Sequence, residues 1–210
     1  MIYMKDKKTV EKEFDELWEE TKDPSPLGKM VFYLAERTAI SMMKNLDRNS
    51  NIIDVGCATG RTLLLFRKHS FSNSIGIDIS PESLKICNSK GLKTGKDVFL
   101  MDAHHLKFKD KHFDMVFAEG LLEHFDNFQP IVDEMCRISK KYVLVLQPNP
   151  FSSWHNIENF YYKFFPRKHV EQLSYGIEDY SKAFKRNRFK LKKIRDLILK
   201  SGWSILYEIK

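Results

Sequence analysis

Apolar residues follow two different periods along this chain, and its middle alternates between them. Five short and nearly continuous apolar runs predict strands that are buried on both faces: Ile52–Gly56, Ser74–Ile79, Asp97–Met101, Phe113–Ala118 and Tyr142–Gln147. Between these runs the apolar side chains recur at helical spacing and predict helices over Arg61–His69, Pro81–Lys90 and Phe128–Lys140. Strands and helices that alternate in this way predict an α/β fold with a mostly parallel, twisted sheet flanked by helices.

The segments on either side of this alternating region have other patterns. Before it, two helices are predicted over Val10–Thr21 and Leu27–Leu46, with a proline-containing break between them. After it, the aromatic-rich residues 148–190 form too long a connection to lack structure, so we expect helices there that cover a substrate site. A helix over Leu191–Ser201 and a strand over Trp203–Ile209 are predicted to end the sequence.

The length of 210 residues suits a single domain. We predict N-terminal helices in 1–48, a ligand-binding core in 49–147, an aromatic cap in 148–190, and a closing helix and strand in 191–210. The chain direction reverses at the first strand, so the ligand crevice is expected at the carboxyl ends of strands one, two and four.

The most informative motif follows the first strand. Asp54, Gly56 and Gly60 form the pattern D-x-G-x-x-x-G just before a predicted helix, where glycine permits positive φ and close approach of a ligand. A dinucleotide site would need G-x-G-x-x-G, but Ala58 and Arg61 occupy the positions of its second and third glycines. A carboxylate in this turn suits an ammonium group better than a pyrophosphate.

With this motif the chain resembles the class I S-adenosylmethionine-dependent methyltransferases of the type 11-like group, whose first motif is E/D-x-G-x-G-x-G. The resemblance covers roughly residues 49–147, and Ala58 replaces the middle glycine. It implies a Rossmann-like fold, S-adenosyl-L-methionine as methyl donor and S-adenosyl-L-homocysteine as product. Relatives usually end with an antiparallel hairpin, whereas only one closing strand is predicted here, so the seventh strand is expected to be missing.

The resemblance also implies which residues bind the cofactor. Asp78 and Asp102 follow the second and third strands, where the family has acids that accept from the ribose hydroxyls and from the adenine amino group. Ile79 would lie on the adenine face, and Glu119 and Gly120 would contact the amino-acid tail through the backbone. The expected cofactor contacts are Asp54, Gly56, Cys57, Ala58, Gly60, Asp78, Ile79, Asp102, Ala103, Glu119 and Gly120, with Tyr33 and Arg37 near the methionine carboxylate.

The segment after the fourth strand bears on the acceptor. It reads A-x-x-x-x-E-H from Ala118 to His124, similar to methyltransferases of small molecules, and lacks the N/D-P-P-F/Y motif of enzymes that methylate amino groups of nucleobases. Methyl transfer is an in-line displacement for which proximity and alignment supply most of the rate. His124 is the candidate general base because its ordinary pKa is near neutral, although a histidine that only caps or packs the next helix fits the same pattern.

Charge leaves a second interpretation open. The formal net charge is +7, and the segment from Lys182 to Arg195 contains no acid. This segment is either a solvated surface or a contact for nucleic acid or protein substrates. Its basic residues are Lys182, Lys185, Arg186, Arg188, Lys190, Lys192, Lys193 and Arg195. A third interpretation is a catalytically idle cofactor-binding module, motivated by the expected absence of the seventh strand.

Composition excludes other classes of protein. Cys57, Cys87 and Cys136 stand singly, which predicts neither a metal site nor a disulfide framework and favours a reducing, cytoplasmic location. No apolar stretch is long enough to predict a membrane span, and the charged N-terminus does not resemble a signal peptide. A monomer or homodimer acting on a small-molecule substrate is therefore expected.

Overall fold

A computed structural model describes residues 7–20, 26–152, 160, 163–164, 172–197 and 200–210. Its centre is a seven-stranded sheet in the order β3-β2-β1-β4-β5-β7-β6. The strands are β1 (Ile52–Val55), β2 (Ser74–Asp78), β3 (Val98–Leu100), β4 (Phe113–Glu119), β5 (Ser139–Pro148), β6 (Phe189–Asp196) and β7 (Gly202–Ile209). The predicted class I, Rossmann-like architecture is thereby confirmed.

Strands β1 to β5 pair in parallel, and β7 lies antiparallel between β5 and β6. The chain moves outward from β1 to β3 on one side and then crosses back to β4 on the other, as expected from the sequence. The helices are α1 (Lys7–Glu20), α2 (Pro26–Met42), α3 (Arg61–Lys68), α4 (Pro81–Ser89), α5 (Gln129–Ile138) and α6 (Ile177–Arg186).

The helices form a layer on each face of the sheet. Ala39 of α2, Phe66 of α3 and Leu84 of α4 belong to one apolar cluster, on the face that also buries Leu206 of β7. Helices α5 and α6 pack on the opposite face, where Tyr207 of β7 is buried. Every residue of β1 is buried, as expected for a central parallel strand covered on both faces.

Local signals set the ends of several elements. Ser80 caps α4 by accepting a hydrogen bond from the N–H of Ser83 at 3.1 Å, and Pro81 occupies the first helical turn. Gly60 precedes α3 with φ of +72°, a left-handed conformation that glycine adopts without strain. These features lie at the strand-to-helix junctions where the ligand crevice was predicted.

The prediction was wrong at the end of the chain. Residues 189–196 form strand β6, which includes residues 191–196 of the predicted helix Leu191–Ser201. The seventh strand is therefore present. Lys192 is an extra residue in the ladder, because Leu191 pairs with Tyr207 and Lys193 pairs with the adjacent Leu206. This bulge breaks the alternation of apolar and polar residues by which a strand is recognised, leaving Leu191 and Ile194 at helix-like spacing.

Part of the predicted cap can be described. Helix α6 lies within residues 148–190, while residues 153–159, 161–162 and 165–171, which include Trp154, Tyr161, Tyr162 and Phe165, are outside the described residues. Tyr175 donates a hydrogen bond to the carbonyl oxygen of Phe125 at 2.9 Å, which joins the start of this helical region to the loop after β4. Whether this region covers a substrate stays a prediction.

Candidate functional site

The turn between β1 and α3 uses its backbone amides internally. The N–H groups of Gly56 and Cys57 both donate to the carbonyl oxygen of Ile77 at 2.9 Å. The N–H of Ala58 donates to Oδ2 of Asp78 at 2.8 Å, so the turn is tied to the end of β2. Because these amides are already committed, the turn does not offer the free N–H cradle that a pyrophosphate requires.

Three residues of this turn have left-handed backbone conformations. The φ angles are +77° at Gly56, +46° at Ala58 and +72° at Gly60. Ala58 thus adopts a left-handed conformation of the kind that glycine favours, at the position of the middle glycine of the motif. Gly60 has no such latitude, since a Cβ there would lie 2.3 Å from Cδ1 of Leu92 and 3.0 Å from Sγ of Cys87.

Buried carboxyl groups surround the turn. Burial, followed by the negative charge of Glu119, raises the pKa of Asp54 well above its ordinary value. Burial also raises the pKa of Asp78, although its two oxygens accept hydrogen bonds from the N–H groups of Ala58 and Ser80. The carboxyl ends of β1, β2 and β4 therefore concentrate acidic groups, and a positively charged ligand would stabilise their ionised forms.

One arginine lies within this acidic region. The guanidinium of Arg61 binds Glu119 at 2.7 Å and also pairs with Glu36 of α2. It lies 4.3 Å from the ring centroid of Phe32, and Thr62 adds a hydrogen bond to Glu119 at 3.2 Å. In the sequence alone, Arg61 is only a mismatch to a dinucleotide motif, and nothing points to Glu36.

The end of β3 holds an Asp–His pair. Oδ1 of Asp102 accepts hydrogen bonds from the backbone N–H of His104 at 2.9 Å and contacts its Nδ1 at 2.8 Å. The imidazole packs edge-on against Phe125, with ring centroids 5.1 Å apart. Ala103 is buried and Ile79 is half-buried. Because β2 and β3 are parallel, Ile79 and Ala103 follow strand ends at the same edge of the sheet as Asp102.

A buried acid that the sequence argument did not select follows β4. Glu123 is 1% exposed, its Oε2 has no hydrogen-bond partner within the described structure, and burial raises its pKa to about 8. Gly120, with φ of +62°, leaves room beside it, since a Cβ there would lie 3.4 Å from Oε1 of Glu123. The E-H pattern at residues 123 and 124 was the available signal, and only the histidine was chosen from it.

Helix α1 lies across the carboxyl ends of the strands. Phe14 contacts His124 edge-on, with centroids 5.1 Å apart. Asp15 accepts hydrogen bonds from the hydroxyl of Ser80 and from the N–H of Glu82, the latter at 3.2 Å. His124 is thus buried beneath α1 at the edge of the crevice, and its role as a base stays a prediction.

Tyr33 and Arg37 lie on α2 beside the residues that face Arg61, and their contact with the cofactor stays a prediction. Tyr33 is 56% exposed, and Arg37 lies over its ring, 5.9 Å from the centroid. The structure turns Glu36 and Phe32, on an adjacent strip of α2, toward Arg61. Cys57, also expected at the cofactor, is buried, and its hydrogen bond with Cys87 is the main cause that raises its pKa.

The basic segment does not form one surface. Helix α6, which carries Lys182, Lys185 and Arg186, packs on the α5 face of the sheet. Lys193 and Arg195 of β6 pair with Leu206 and Ser204 and therefore face the α2 side. Lys192 forms an ion pair with Glu208 at 3.0 Å. The positive charges that were predicted as a single contact are divided between opposite faces.

Comparison with known sequences identifies the region that contains the turn. Residues 53–145 match the family model described as a methyltransferase domain. This segment belongs to that methyltransferase family. The predicted resemblance to class I methyltransferases is confirmed, and the matched range runs from β1 to β5 and includes the acids around the turn.

Curated relatives of this methyltransferase domain share part of their length with the chain. Ajmaline N-methyltransferase of Rauvolfia serpentina is 32% identical over 93 residues, covering 42% of this chain and 32% of that protein. Phosphatidylethanolamine N-methyltransferase of Cereibacter sphaeroides is 34% identical over 109 residues, covering 50% of this chain and 53% of that protein. The chain therefore spans between a third and about half of these two relatives.

Solved structures support the fold over nearly the whole chain. Magnesium protoporphyrin IX methyltransferase from Synechocystis PCC 6803, solved with bound SAH, has a TM-score of 0.73 at 16% identity and covers 98% of this chain and 100% of its own. A possible histamine N-methyltransferase from Thermotoga maritima has a TM-score of 0.67 at 16% identity, with 94% and 100% covered. Among the described helices, none has the length and apolar character needed to cross a membrane.

Proposed function

We propose that this protein transfers a methyl group from S-adenosyl-L-methionine to a small organic acceptor. The observation that carries the proposal is the group of carboxylates around the turn, formed by Asp54, Asp78 and Glu119. S-adenosyl-L-methionine carries a positive sulfonium and a positive ammonium group, and both are stabilised where carboxylates are concentrated. The residues present therefore fit this cofactor better than one that carries phosphates.

Each acid has a proposed contact. Asp54 would hold the ammonium group of the amino-acid tail, assisted by the backbone of Glu119 and Gly120. Asp78 would accept from the ribose hydroxyls, since each of its oxygens has a further acceptor position beside its backbone hydrogen bond. Asp102 would accept from the adenine amino group. The remaining proposed contacts are Gly56, Cys57, Ala58 and Gly60 in the turn and Ile79 and Ala103 beside the adenine.

The bound cofactor would supply a methyl group already activated by the positive sulfur. The residues around it need only to hold the acceptor in line and to keep water out. Helix α1 contributes to the second task, because Phe14 and Asp15 join it to His124 and Ser80 over the crevice. His124 is proposed to accept a proton where the acceptor is a hydroxyl or an acidic carbon.

A small acceptor is favoured over a macromolecule by two observations. The basic segment that would bind nucleic acid is divided between two faces of the sheet, so it offers no continuous surface. The relative named ajmaline N-methyltransferase acts, by its name, on a small organic molecule. The idle-module interpretation has lost its motive, since the seventh strand is present.

Calorimetric titration with S-adenosyl-L-methionine and S-adenosyl-L-homocysteine tests the proposal. Because the pKa of Asp54 is raised, the cationic cofactor should displace a proton from the site, and the binding heat should depend on the ionisation enthalpy of the buffer. Asp54→Asn should reduce that dependence and weaken binding. Asp114→Asn is a matched control, because Asp114 caps the opposite end of the sheet by accepting from the N–H of Asn51.

No heat from either ligand at millimolar concentration would contradict cofactor binding. Transfer of labelled methyl groups from the cofactor to molecules in a cell extract then separates an active enzyme from an idle module. Label found only in RNA or protein would contradict the small acceptor while leaving the cofactor assignment intact.

A further inference from the structure

An open cleft of about 320 Å³ lies between α2 and β6, apart from the proposed cofactor contacts. Leu34, Arg37, Thr38 and Ser41 line it from α2, and Arg195 lines it from β6. The four helical residues have the spacing i, i+3, i+4 and i+7, so they form one strip along the helix. Two guanidinium groups from distant parts of the sequence thus border the same space.

These two arginines differ from three arginines of the fold that are neutralised by carboxylates. Arg61 binds Glu119, Arg67 binds Asp97 and Arg137 binds Glu134, each at 2.7 Å. Within the described part of the chain, no carboxylate forms an ion pair with Arg37 or Arg195, and both side chains are exposed. Positive charge in this cleft is therefore not neutralised by the protein's own acids.

The register of β6 adds a third positive charge. Arg195 pairs with Ser204 and Lys193 with Leu206, and Leu206 is buried in the cluster that contains Ala39 of α2. Cross-strand partners point to the same face of a sheet, so Lys193 and Arg195 both face the side on which α2 lies. Lys193 and Arg195 lie two ladder positions apart in the regular part of the pairing, after the bulge at Lys192.

The cleft opens at the same edge of the sheet as the proposed methyl-transfer site. Arg195, Ser204, Leu146 and Glu119 form one row across β6, β7, β5 and β4. Three strand spacings separate the ends of that row, which corresponds to about 14 Å. On α2, Arg37 directly follows Glu36, the residue that pairs with Arg61 beside Glu119. The cleft and the acidic region are therefore two parts of one edge.

We propose that this cleft binds an anionic group of the methyl acceptor, a phosphate or a carboxylate, through Arg37 and Arg195. Guanidinium groups bind both kinds of anion through paired, charge-assisted hydrogen bonds. The acceptor class is then an acidic molecule that reaches from this cleft toward Glu119, along strands whose backbones lie about 14 Å apart at the two ends of the row. This inference rests on the proposed function, since it assigns the substrate class of the same edge.

The test uses phenyl phosphate and benzoate as separate probes at constant ionic strength. In ¹⁵N-labelled protein, phenyl phosphate or benzoate should shift, saturably, the Nε–H resonances that disappear in Arg37→Gln and in Arg195→Gln. Each substitution should weaken probe binding about tenfold, the effect expected from loss of one charge-assisted contact. A response to phenyl phosphate alone identifies a phosphate, and a response to benzoate alone identifies a carboxylate; either outcome supports the proposal.

Arg186→Gln is the matched control, because Arg186 lies on α6 at the opposite face of the sheet. An equal loss of probe binding in that variant would overturn the proposal, since the anion would then respond only to general charge. Saturable RNA binding that depends on Arg37 and Arg195, with no response to either probe, would overturn it in favour of nucleic acid.

A titration with S-adenosyl-L-homocysteine separates this inference from the proposed function. Arg195→Gln should bind it with unchanged affinity. A wild-type protein that binds it but neither probe overturns the anion site alone. A wild-type protein that does not bind it overturns the proposed function.

Discussion

The proposed binding edge of the sheet has acidic side chains at one end and basic side chains at the other. The acids are buried, whereas the arginines are exposed. At β1 and β2, Asp54 and Asp78 are buried, and Asp78 is fixed by backbone hydrogen bonds. At β6 and α2, Arg195 and Arg37 are exposed, and within the described residues no acid pairs with them. The acidic end is built before any ligand arrives, whereas the basic end depends on a ligand to neutralise it.

This difference indicates how each end would recognise its ligand. Buried and fixed carboxylates lose little conformational entropy on binding, so they suit a single invariant cofactor. Exposed arginines retain rotamer freedom and tolerate anions of different shape. The same fold can therefore combine a strict cofactor site with a more permissive acceptor site.

Glu123 is expected to give the largest effect, because it is a buried acid at this edge whose Oε2 lacks a partner within the described structure. Its pKa rises from 4.5 to about 8 on folding. Between these values the unfolded chain has lost the proton that the folded protein keeps, so stability falls as pH rises and is lowest above pH 8. Glu123→Gln should remove this loss, so its stability relative to wild type should rise by about 5 kcal/mol between pH 4.5 and pH 8.

Denaturant unfolding at pH 5, 7 and 8.5 measures this effect. Glu134→Gln is a useful contrast, because the hydrogen bond from Arg137 lowers the pKa of Glu134, and its stabilising contribution is lost as pH falls. A difference between Glu123→Gln and wild type that stays constant with pH would show that Glu123 is not protonated in the folded protein.

The second effect tests whether the acidic end is as closely packed as its contacts indicate. Gly60→Ala should destabilise the fold by about 2–4 kcal/mol, since it combines a left-handed alanine with a collision against the buried Leu92 and Cys87. Gly95→Ala has a similar φ of +80° but no atom within 4 Å of the new Cβ, so it should cost only about 1 kcal/mol. Equal unfolding free energies for the two variants would contradict close packing at the turn.

The acidic end was predictable because its signals are local. An apolar run that ends in an acid identifies both a strand and the edge where it ends, and this placed Asp54, Asp78 and Asp102 without knowledge of the fold. The contribution of Glu36 was not predictable, since it depends on how α2 is rotated when it docks on the sheet. Tyr33 and Arg37 were selected from the same helix one residue away from the strip that faces Arg61.

The basic end was not predictable from the sequence, because one extra residue interrupts the pattern of strand β6. From Phe189 to Asp196 the side chains do not alternate, because Lys192 is an insertion relative to the pairing with β7. The partner strand β7 does not alternate either, because its residues 202–207 are all buried and point to both faces of the sheet. Periodicity in one strand cannot reveal a bulge that is defined by its neighbour.

A third variant compares the two ends directly through the cofactor. Asp78→Asn should weaken binding of S-adenosyl-L-homocysteine by about 10- to 100-fold, because a neutral amide replaces the charge that accepts from the ribose hydroxyls. Arg195→Gln, at the other end, should leave that affinity unchanged. Calorimetric titration measures both, and an equal loss in the two variants would mean that the ends do not act on separate ligands.

The smallest effect concerns the bulge itself. Deletion of Lys192 removes the extra residue but leaves Leu191 opposite Tyr207 and Lys193 opposite Leu206, so Lys193 and Arg195 should still face α2. The exposed ion pair with Glu208 is lost, which should cost at most about 1 kcal/mol. Denaturant unfolding and the phenyl phosphate titration should both give nearly wild-type values. If the deletion instead abolishes the phosphate response, the orientation of Arg195 is set by the bulge and not by its pairing with β7.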